Sequence, residues 1–261
     1  MSRGHRPRKR FGQHFLTDPM TIEQIVAAIQ PQESETLVEV GPGHGAISRP
    51  LANLVGDFHA IELDRDLAAD LRKQYVAHAN VTIHEGDALS FDFAALGNEL
   101  RIVGNLPYNI STPLLFRLVE FRQVIRDMHF MLQKEVVDRM AAPPGNKTYG
   151  RLSIMLGCYM DIEPLFDVPA TAFNPPPKVT SSVVRMRPLP ADTYAIDDHD
   201  TLSQLVAEAF SQRRKTLRNA LKASATEEDL VAAGMDPNSR PERATIPNYV
   251  ALANLIARRL R

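Results

Sequence analysis

The first half of the chain alternates between short apolar runs and amphipathic segments. The apolar runs predict buried strands, at Thr36–Val40, Phe58–Leu63, Asn80–Glu85, Leu100–Asn105 and Val124–Leu132. The segments between them repeat apolar residues at helical spacing. The first helix is predicted to follow an Asp18 N-cap, with Pro19 at its first position, and to end at Pro31. Strands that alternate with helices predict an α/β fold with a parallel sheet covered on both faces.

The second half is richer in helical patterns and proline. A helical stretch is predicted at Arg151–Met160, a rigid extended segment at Phe173–Pro177 and a last strand at Ser182–Met186. The remaining predicted elements are helices, at Leu202–Gln212, Thr216–Ala223, Glu227–Ala233 and Asn248–Arg259. Pro188-Leu189-Pro190 has the composition of a linker. We therefore divide the chain into a basic N-terminal arm (1–17), an α/β domain (18–190) and a small all-helical domain (191–261).

The composition is typical of a soluble globular protein. Hydrophobic residues make up 44% of the chain, enough for a core, and no apolar run approaches the roughly 18 residues that a membrane helix needs. The single cysteine, Cys158, cannot form an intrachain disulfide, and its apolar surroundings predict a buried, unreactive thiol. Polar residues follow the basic N-terminus, where a signal peptide would have its apolar stretch. We expect a cytoplasmic protein with no membrane contact.

The positive charges are clustered although the formal net charge is only −1. One cluster lies in the arm and consists of Arg3, Arg6, Arg8, Lys9 and Arg10. A second lies in the helical region and consists of Arg213, Arg214, Lys215, Arg218 and Lys222. Such patches can bind phosphates, and they can equally be a solvated tail and a solvated helix face. Charge alone does not decide between the two interpretations.

A glycine-rich turn links the first predicted strand to a helix that we expect to run to about Val55. Gly41, Gly43 and Gly45 permit a tight turn and close approach of a ligand to the backbone. Glu62, at the end of the next strand, is placed to meet a ribose hydroxyl. Together these features predict an adenosine-containing cofactor.

Two further acids help to identify that cofactor. Glu39 precedes the glycines and suits a cationic ligand, such as the amino group and sulfonium of S-adenosylmethionine, whereas it would repel a pyrophosphate. Asp87 follows the third strand and can accept a hydrogen bond from the adenine amine. The alternative for Asp87 is a simple turn aspartate. We expect no bound metal ion.

The segment Asn105-Leu106-Pro107-Tyr108 follows the fourth strand, where ligands bind in open α/β folds. The N6 amine of adenine is a poor nucleophile because its lone pair is delocalised into the ring. If Asn105 Oδ1 and a backbone carbonyl near Leu106 or Pro107 accept its two hydrogens, the nitrogen is drawn toward tetrahedral geometry. Tyr108 can stack on the base, and Phe173 is a candidate second stacking face, with a core phenylalanine as the alternative.

The chain resembles the small-subunit ribosomal RNA adenine N6,N6-dimethyltransferases over nearly its whole length. The motifs that carry the resemblance are Arg8–Leu16, Glu39–Gly45, Ile61–Asp64, Gly86–Ala88, Asn105–Ser111, Met131–Val136, Tyr149–Ser153, Phe173–Val183 and Phe210–Asn219. The resemblance implies a Rossmann-like S-adenosylmethionine-dependent methyltransferase domain and a helical RNA-binding domain. It also implies that the cofactor is lined by His14, Leu16, Gly41, Glu62, Asp87 and Asn105. Position 14 is often Asn in the family.

The implied substrate is a pair of adjacent adenosines in a hairpin near the 3′ end of small-subunit rRNA, within an assembling 30S-type particle. Each adenosine would receive two methyl groups, and such proteins are also thought to gate ribosome biogenesis. The resemblance implies that residues of the two basic clusters bind the RNA backbone. These residues are Arg8, Lys9, Arg10, Arg213, Arg214, Lys215 and Arg218. We take a monomer as the default.

Three other functions are compatible with parts of this pattern. A large-subunit adenine methyltransferase shares the fold, but the helical domain and the Gln212–Lys215 stretch disfavour it by resemblance. A nucleic-acid-binding factor without activity is disfavoured by the intact site residues, namely Glu39, Glu62, Asp87, Asn105 and Tyr108. A nicotinamide oxidoreductase is disfavoured by the glycine spacing and by the lack of a candidate partner for hydride transfer.

Overall fold

The structure is a computed structural model that describes residues 14–260, apart from the side chain of Leu260. Its strands are β1 (Phe15–Leu16), β2 (Thr36–Val40), β3 (Asp57–Glu62), β4 (Val81–Glu85), β5 (Leu100–Asn105), β6 (Ile125–Gln133), β7 (Met160–Val168), β8 (Phe173–Asn174) and β9 (Ser181–Pro188). Its α-helices are α1 (Pro19–Ile29), α2 (Ser48–Ala52), α3 (Arg65–Gln74), α4 (Ser111–Glu120), α5 (Lys134–Met140), α6 (Arg151–Gly157), α7 (His199–Ser211), α8 (Leu217–Ala220), α9 (Glu227–Ala232) and α10 (Ile246–Leu260).

Within residues 14–260, seven strands form one sheet in the order β4-β3-β2-β5-β6-β9-β7. The first five of these strands are parallel to one another, so their carboxyl ends lie at one edge of the sheet. β9 runs antiparallel to β6, with Val184 opposite Phe130. The α/β fold class is therefore confirmed, but the sheet is mixed rather than parallel throughout.

The edge strand β7 replaces part of a predicted helix. The apolar run that predicted a helix over Arg151–Met160 ends as α6 at Gly157, and Met160 begins a strand. The apolar pattern of β7 is interrupted by Glu163, Pro164 and Asp167. The strand therefore lacks the continuous apolar run that predicts a buried strand. Strand pairing with β9 decides the conformation there, because local periodicity is weak.

Local sequence signals explain the ends of several helices. Asp18 caps α1 by accepting the N–H of Thr21 at 2.8 Å, with Pro19 at the start of the helix. Asp64 caps α3 in the same way through the N–H of Asp66. The helix after the glycine turn is shorter than predicted, since α2 ends at Ala52 rather than near Val55.

The core of the sheet is built from side chains that the apolar runs predicted. Leu37, Phe58 and Ile102 lie in β2, β3 and β5 and are fully buried. Cys158 is buried as predicted, and burial raises the pKa of its thiol to about 12, which keeps it protonated near neutral pH. No helix within the described residues has both the length and the apolar character needed to span a bilayer.

The chain divides into two compact units, and the division differs from the predicted one. The first unit comprises residues up to Val137 together with Ile162–Pro188, and the second comprises Asp138–Asp161 and Leu189–Arg261. The predicted boundary at 190 is close, but the prediction places residues 138–161 in the α/β domain. They join the helical unit because α6 packs against α7.

The predicted N-terminal arm is also corrected where the structure describes it. Phe15 and Leu16 form β1, which pairs with β8 in a second, two-stranded sheet. These residues are therefore part of the first unit rather than an arm. Residues 1–13 lie outside the described part of the chain.

Candidate active site

A cavity opens at the carboxyl ends of the parallel strands, as expected for an open α/β sheet. Its walls come from β1, the glycine turn, the ends of β2 and β3, Gly86–Ala88 and Asn105–Ile110. All predicted cofactor residues contribute to these walls, namely His14, Leu16, Glu39, Gly41, Gly43, Glu62, Asp87 and Asn105. The structure thus brings together residues that are far apart in the sequence.

The glycine turn places bare backbone against the cavity. Gly43 has a φ of +58°, which side chains of L-residues rarely adopt, and an added Cβ would lie 3.1 Å from the Phe15 ring. The N–H of Gly43 donates to Glu62 Oε2 at 3.1 Å. Glycine at this position therefore keeps the turn closed over β1 and leaves room for a ligand beside it.

Glu39 places a carboxylate at the base of the cavity with almost no access to solvent. Its side chain is 1% exposed, and Ser48 Oγ donates to its Oε2 at 2.5 Å. Burial raises the pKa of Glu39 to about 7; the Ser48 hydrogen bond opposes this rise and the negative charge of Glu62 adds to it. A cation placed beside Glu39 would replace its lost hydration.

Glu62 is held rigidly at the end of β3. Its two carboxylate oxygens accept the backbone N–H groups of Gly43 and Asp64, the latter at 2.9 Å. Burial raises the pKa of Glu62, against the effect of these backbone hydrogen bonds. The side chain still borders the cavity, where it can accept further hydrogen bonds from hydroxyl groups.

Asp87 has the geometry of a turn aspartate and also borders the cavity, and its contact with the adenine amine stays a prediction. Its Oδ1 accepts the N–H of Leu89 at 2.9 Å, which is the geometry of a turn aspartate. The exposed side chain also lines the cavity beyond β4. A turn that fixes one carboxylate oxygen leaves the other available to a ligand.

The segment after β5 presents its polar groups to the cavity in a defined way. Asn105 Nδ2 donates to the backbone oxygen of His14 at 3.1 Å, which leaves Oδ1 as the acceptor on the other side of the amide. Leu106 is buried, and its N–H donates to Met131. The Pro107 carbonyl accepts the N–H of Ile110 at 3.1 Å, so the Leu106 carbonyl is the better candidate for a second acceptor.

Tyr108 is half-buried, and its hydroxyl is held in place. Its Oη lies 3.1 Å from Ser181 Oγ, and Ser181 is buried at the start of β9. The ring centroid lies 5.9 Å from that of His14, with 30° between the planes. A half-buried tyrosine that borders the cavity and is held at its hydroxyl is suited to stacking on a planar ligand.

The structure does not bring Phe173 into this cavity. The Phe173 side chain is 4% exposed and belongs to the same buried cluster as Leu16 and Val183. Pairing of β8 with β1 turns the ring inward. A ring without an exposed face cannot stack on a base, so Phe173 is a core residue in this structure.

Sequence reasoning missed the residues that hold the site in place. Ser48 restrains Glu39, Ser181 anchors Tyr108, and Phe15 packs on the His44 ring with 4.2 Å between centroids. Ser48 and Ser181 have no distinctive sequence context on their own. Phe15 adjoins the predicted His14 and Leu16, which was the one available signal.

The predicted RNA-binding residues are only partly described. Arg8, Lys9 and Arg10 lie outside the described residues. Arg213, Arg214 and Lys215, which we call the basic turn, form the connection between α7 and α8 rather than part of a helix. Arg213 lies 3.7 Å from Glu242, whereas Arg214 and Lys215 are exposed. Arg218, on α8, is exposed and pairs with Glu227 at 3.5 Å.

The cavity has the chemical groups that S-adenosylmethionine requires. The close approach at Gly43 suits a ligand that touches backbone, Glu62 suits ribose hydroxyls, and buried Glu39 suits a positive charge. The donor set therefore fits S-adenosylmethionine. Within residues 14–260, no group of three or more His, Cys, Asp or Glu side chains is arranged to hold a metal ion.

Comparison with known proteins gives a consistent result. The family described as ribosomal RNA adenine dimethylase matches residues 4–258. The ribosomal RNA small subunit methyltransferase A of Aromatoleum aromaticum is 58% identical over 97% of this chain and 95% of its own length. Its Vibrio cholerae counterpart is 53% identical over 96% of this chain and 94% of its own length.

Two solved structures share the fold at low sequence identity. A dimethyladenosine transferase from Plasmodium falciparum has a TM-score of 0.80 at 24% identity, covering 94% of this chain and 98% of its own. The 23S rRNA methyltransferase ErmE has a TM-score of 0.72 at 21% identity, covering 93% and 99%. The predicted Rossmann-like methyltransferase fold is thereby confirmed.

Proposed function

The chain belongs to the ribosomal RNA adenine dimethylase family, and on that premise we propose that it dimethylates N6 of two adjacent adenosines in a hairpin near the 3′ end of small-subunit rRNA. It is a methyltransferase, and its cofactor is S-adenosylmethionine. The substrate assignment draws on the names of relatives that are more than half identical over nearly the whole chain. The adenosine pair and the hairpin come from the family resemblance.

One observation carries the chemical part of the proposal. Asn105 Nδ2 is occupied by the His14 carbonyl, so Asn105 presents an acceptor to the same cavity that Glu39 and Glu62 border. An acceptor is what an amine with two hydrogens requires. The ligand-binding and amine-binding groups therefore border a single cavity.

Each residue of the site then has a defined role in the proposed reaction. S-adenosylmethionine supplies the methyl group from its sulfonium. Glu39 and Glu62, with the glycine turn, bind and orient it. Asn105 Oδ1 and the Leu106 carbonyl accept the two N6 hydrogens and free the nitrogen lone pair for attack. Tyr108 stacks on the adenine and holds the amine in line, which is catalysis by positioning.

No strong general base is required among these residues. The N6 nitrogen acidifies as its new bond to carbon forms, and one proton leaves to water for each methyl group gained. Asn105 stays neutral throughout and acts only through its hydrogen bond. Replacement of its acceptor should therefore reduce the rate without shifting a catalytic pKa.

The rest of the chain is assigned to RNA. We assign the basic turn, Arg218 and the N-terminal Arg8–Arg10 to the RNA backbone, because clustered positive charges bind phosphates without reading sequence. The proposed substrate is an assembling 30S-type particle, and the proposed setting is the cytoplasm. A role in small-subunit biogenesis and a monomeric state complete the proposal.

The test is transfer of labelled methyl from S-adenosylmethionine to isolated small and large ribosomal subunits that lack these modifications, with nucleoside analysis of the product. Dimethyladenosine in the small subunit alone is the expected result. Label in the large subunit would assign the chain to the activity named for ErmE. Absence of label from both subunits, with RNA binding intact, would favour a factor without activity.

A further inference from the structure

The amide of Asn105 can face the substrate in two ways that differ in chemistry. A half-turn about the last side-chain bond exchanges the acceptor Oδ1 for the donor Nδ2. The N6 amine of adenine carries hydrogens and needs an acceptor from Asn105. One orientation serves methyl transfer, and the other places donor against donor. Something in the protein must therefore select the orientation.

The backbone of His14 makes this selection. Asn105 Nδ2 donates to the His14 carbonyl oxygen at 3.1 Å across a separation of 91 residues. A carbonyl oxygen accepts but does not donate, so a flipped amide would place two acceptors in contact and lose the bond. The contact leaves Oδ1 on the opposite side, toward the cavity.

The His14 carbonyl is itself held in place from the proline-rich segment. His14 Nδ1 lies 2.8 Å from the backbone oxygen of Pro175. Because that oxygen only accepts, Nδ1 must carry the hydrogen. The following residues, Phe15 and Leu16, pair with Asn174 and Phe173 in the two-stranded sheet. The imidazole therefore closes a bridge that runs from the Pro175 carbonyl through residue 14 to Asn105.

We propose that His14 is a positioning residue for methyl transfer, because it orients the Asn105 amide with Oδ1 as the acceptor. This inference rests on the proposed function. It assigns His14 a task distinct from lining the cofactor site, since the bonds involved run to Pro175 and Asn105. The consequence is a rate effect at Asn105 that is larger than any effect on cofactor affinity.

Three substitutions test the hydrogen bond from His14 Nδ1 to the Pro175 carbonyl separately from the other contacts of the His14 ring. His14→Ala removes the ring, and His14→Phe keeps a ring beside Tyr108 but removes the donor. Both should lower kcat about tenfold, equivalent to about 1.4 kcal/mol in barrier height. His14→Asn supplies an amide donor close to the position of Nδ1 and should restore kcat to within about threefold of the unmodified protein.

A fall in kcat without an equal change in KM or Kd would distinguish a positioning role of His14 from a binding role. For His14→Ala, the KM for RNA should stay within about twofold, and the Kd for S-adenosylhomocysteine should rise by clearly less than the fall in kcat, although His14 borders the cofactor cavity. An unchanged kcat in His14→Ala, or a His14→Asn protein as slow as His14→Ala, would overturn the inference. So would a loss of S-adenosylhomocysteine affinity equal to the loss in kcat, since His14 would then act through the cofactor.

A measurement without turnover gives an independent readout. The Asn105 side-chain amide signals can be assigned in the NMR spectrum by their loss in Asn105→Ala. Their hydrogen exchange should be slow in the unmodified protein and in His14→Asn, and faster in His14→Ala. If exchange is equal in all three while the unmodified protein is active, the inference fails and the proposed function stands. If the exchange pattern holds but no methyl group is transferred, the proposed function fails and only the orientation of Asn105 stands.

Discussion

His129 offers a direct test of how burial of a titratable group governs the stability of this fold. The residue lies on β6 and is 3% exposed, and within residues 14–260 neither of its ring nitrogens has a hydrogen-bond partner. Burial lowers its pKa from 6.5 to about 4. The charges around it largely oppose one another: Asp127, 3.6 Å away, and Glu163 raise the pKa, whereas Arg101 and Arg185 lower it.

The sign of the effect follows from proton uptake by the two states. The unfolded chain protonates His129 near pH 6.5, and the folded chain does so only near pH 4. The free energy of unfolding therefore decreases as pH falls from about 6.5 to about 4. A shift of this size corresponds to about 3 kcal/mol over the whole window, and to about 2 kcal/mol between pH 7.5 and pH 5.

We expect His129→Leu to remove this pH dependence. Leucine is close in volume and leaves no unpartnered nitrogen, so stability at pH 7.5 should be equal or about 1 kcal/mol higher. The chain has no tryptophan, so urea unfolding is followed by circular dichroism at several pH values. The difference between the two proteins is the quantity to compare, and it should grow by about 2 kcal/mol between pH 7.5 and pH 5.

The comparison must be a difference because Glu39 acts in the opposite direction. Its pKa is raised from 4.5 to about 7, so the folded state holds a proton that the unfolded chain has already lost. The contribution of Glu39 to the free energy of unfolding therefore falls as pH rises through that window. If His129→Leu and the unmodified protein lose stability in parallel on acidification, the assignment of the low pKa to His129 is wrong.

Three other predictions concern the site and the RNA surface. Binding of S-adenosylmethionine, measured by calorimetry, should strengthen as pH rises through about 7, because Glu39 ionises there, and should be flat in Glu39→Gln. Asn105→Ala should lower methyl transfer about a hundredfold or more with cofactor affinity changed only a few-fold, whereas exposed Asn98→Ala should match the unmodified protein; retained activity would contradict the role of Asn105. Neutralising the basic turn (Arg213–Lys215) should weaken RNA binding and reduce its salt slope by about one per lost phosphate contact, and an unchanged slope would mean that the turn faces only solvent.

The elements that the sequence predicted well are those whose local and tertiary signals agree. β2 and β5 begin and end at the predicted residues, because both are inner strands of the sheet whose side chains are buried over almost their whole length. Strand β7 was missed because it lies at the edge of the sheet, where only part of its length must be apolar. Pairing with a neighbour, which no local pattern records, determines its conformation.

The candidate site contains groups that the sequence predicts and groups that it does not. The predicted groups bind the ligand, and the others hold those groups in place. Glu39, Glu62 and Asn105 could be predicted because their chemistry suits the ligand and because strand ends converge at one edge of the sheet. Ser48 and the His14 carbonyl could not, since a serine and a backbone oxygen have no distinctive chemistry until the fold sets them 2.5 Å from Glu39 and 3.1 Å from Asn105. Orientation is therefore the information that the fold adds. The sequence predicts that Asn105 binds the amine. Only the hydrogen bond from Asn105 Nδ2 to the His14 carbonyl determines that the amine meets Oδ1 rather than Nδ2.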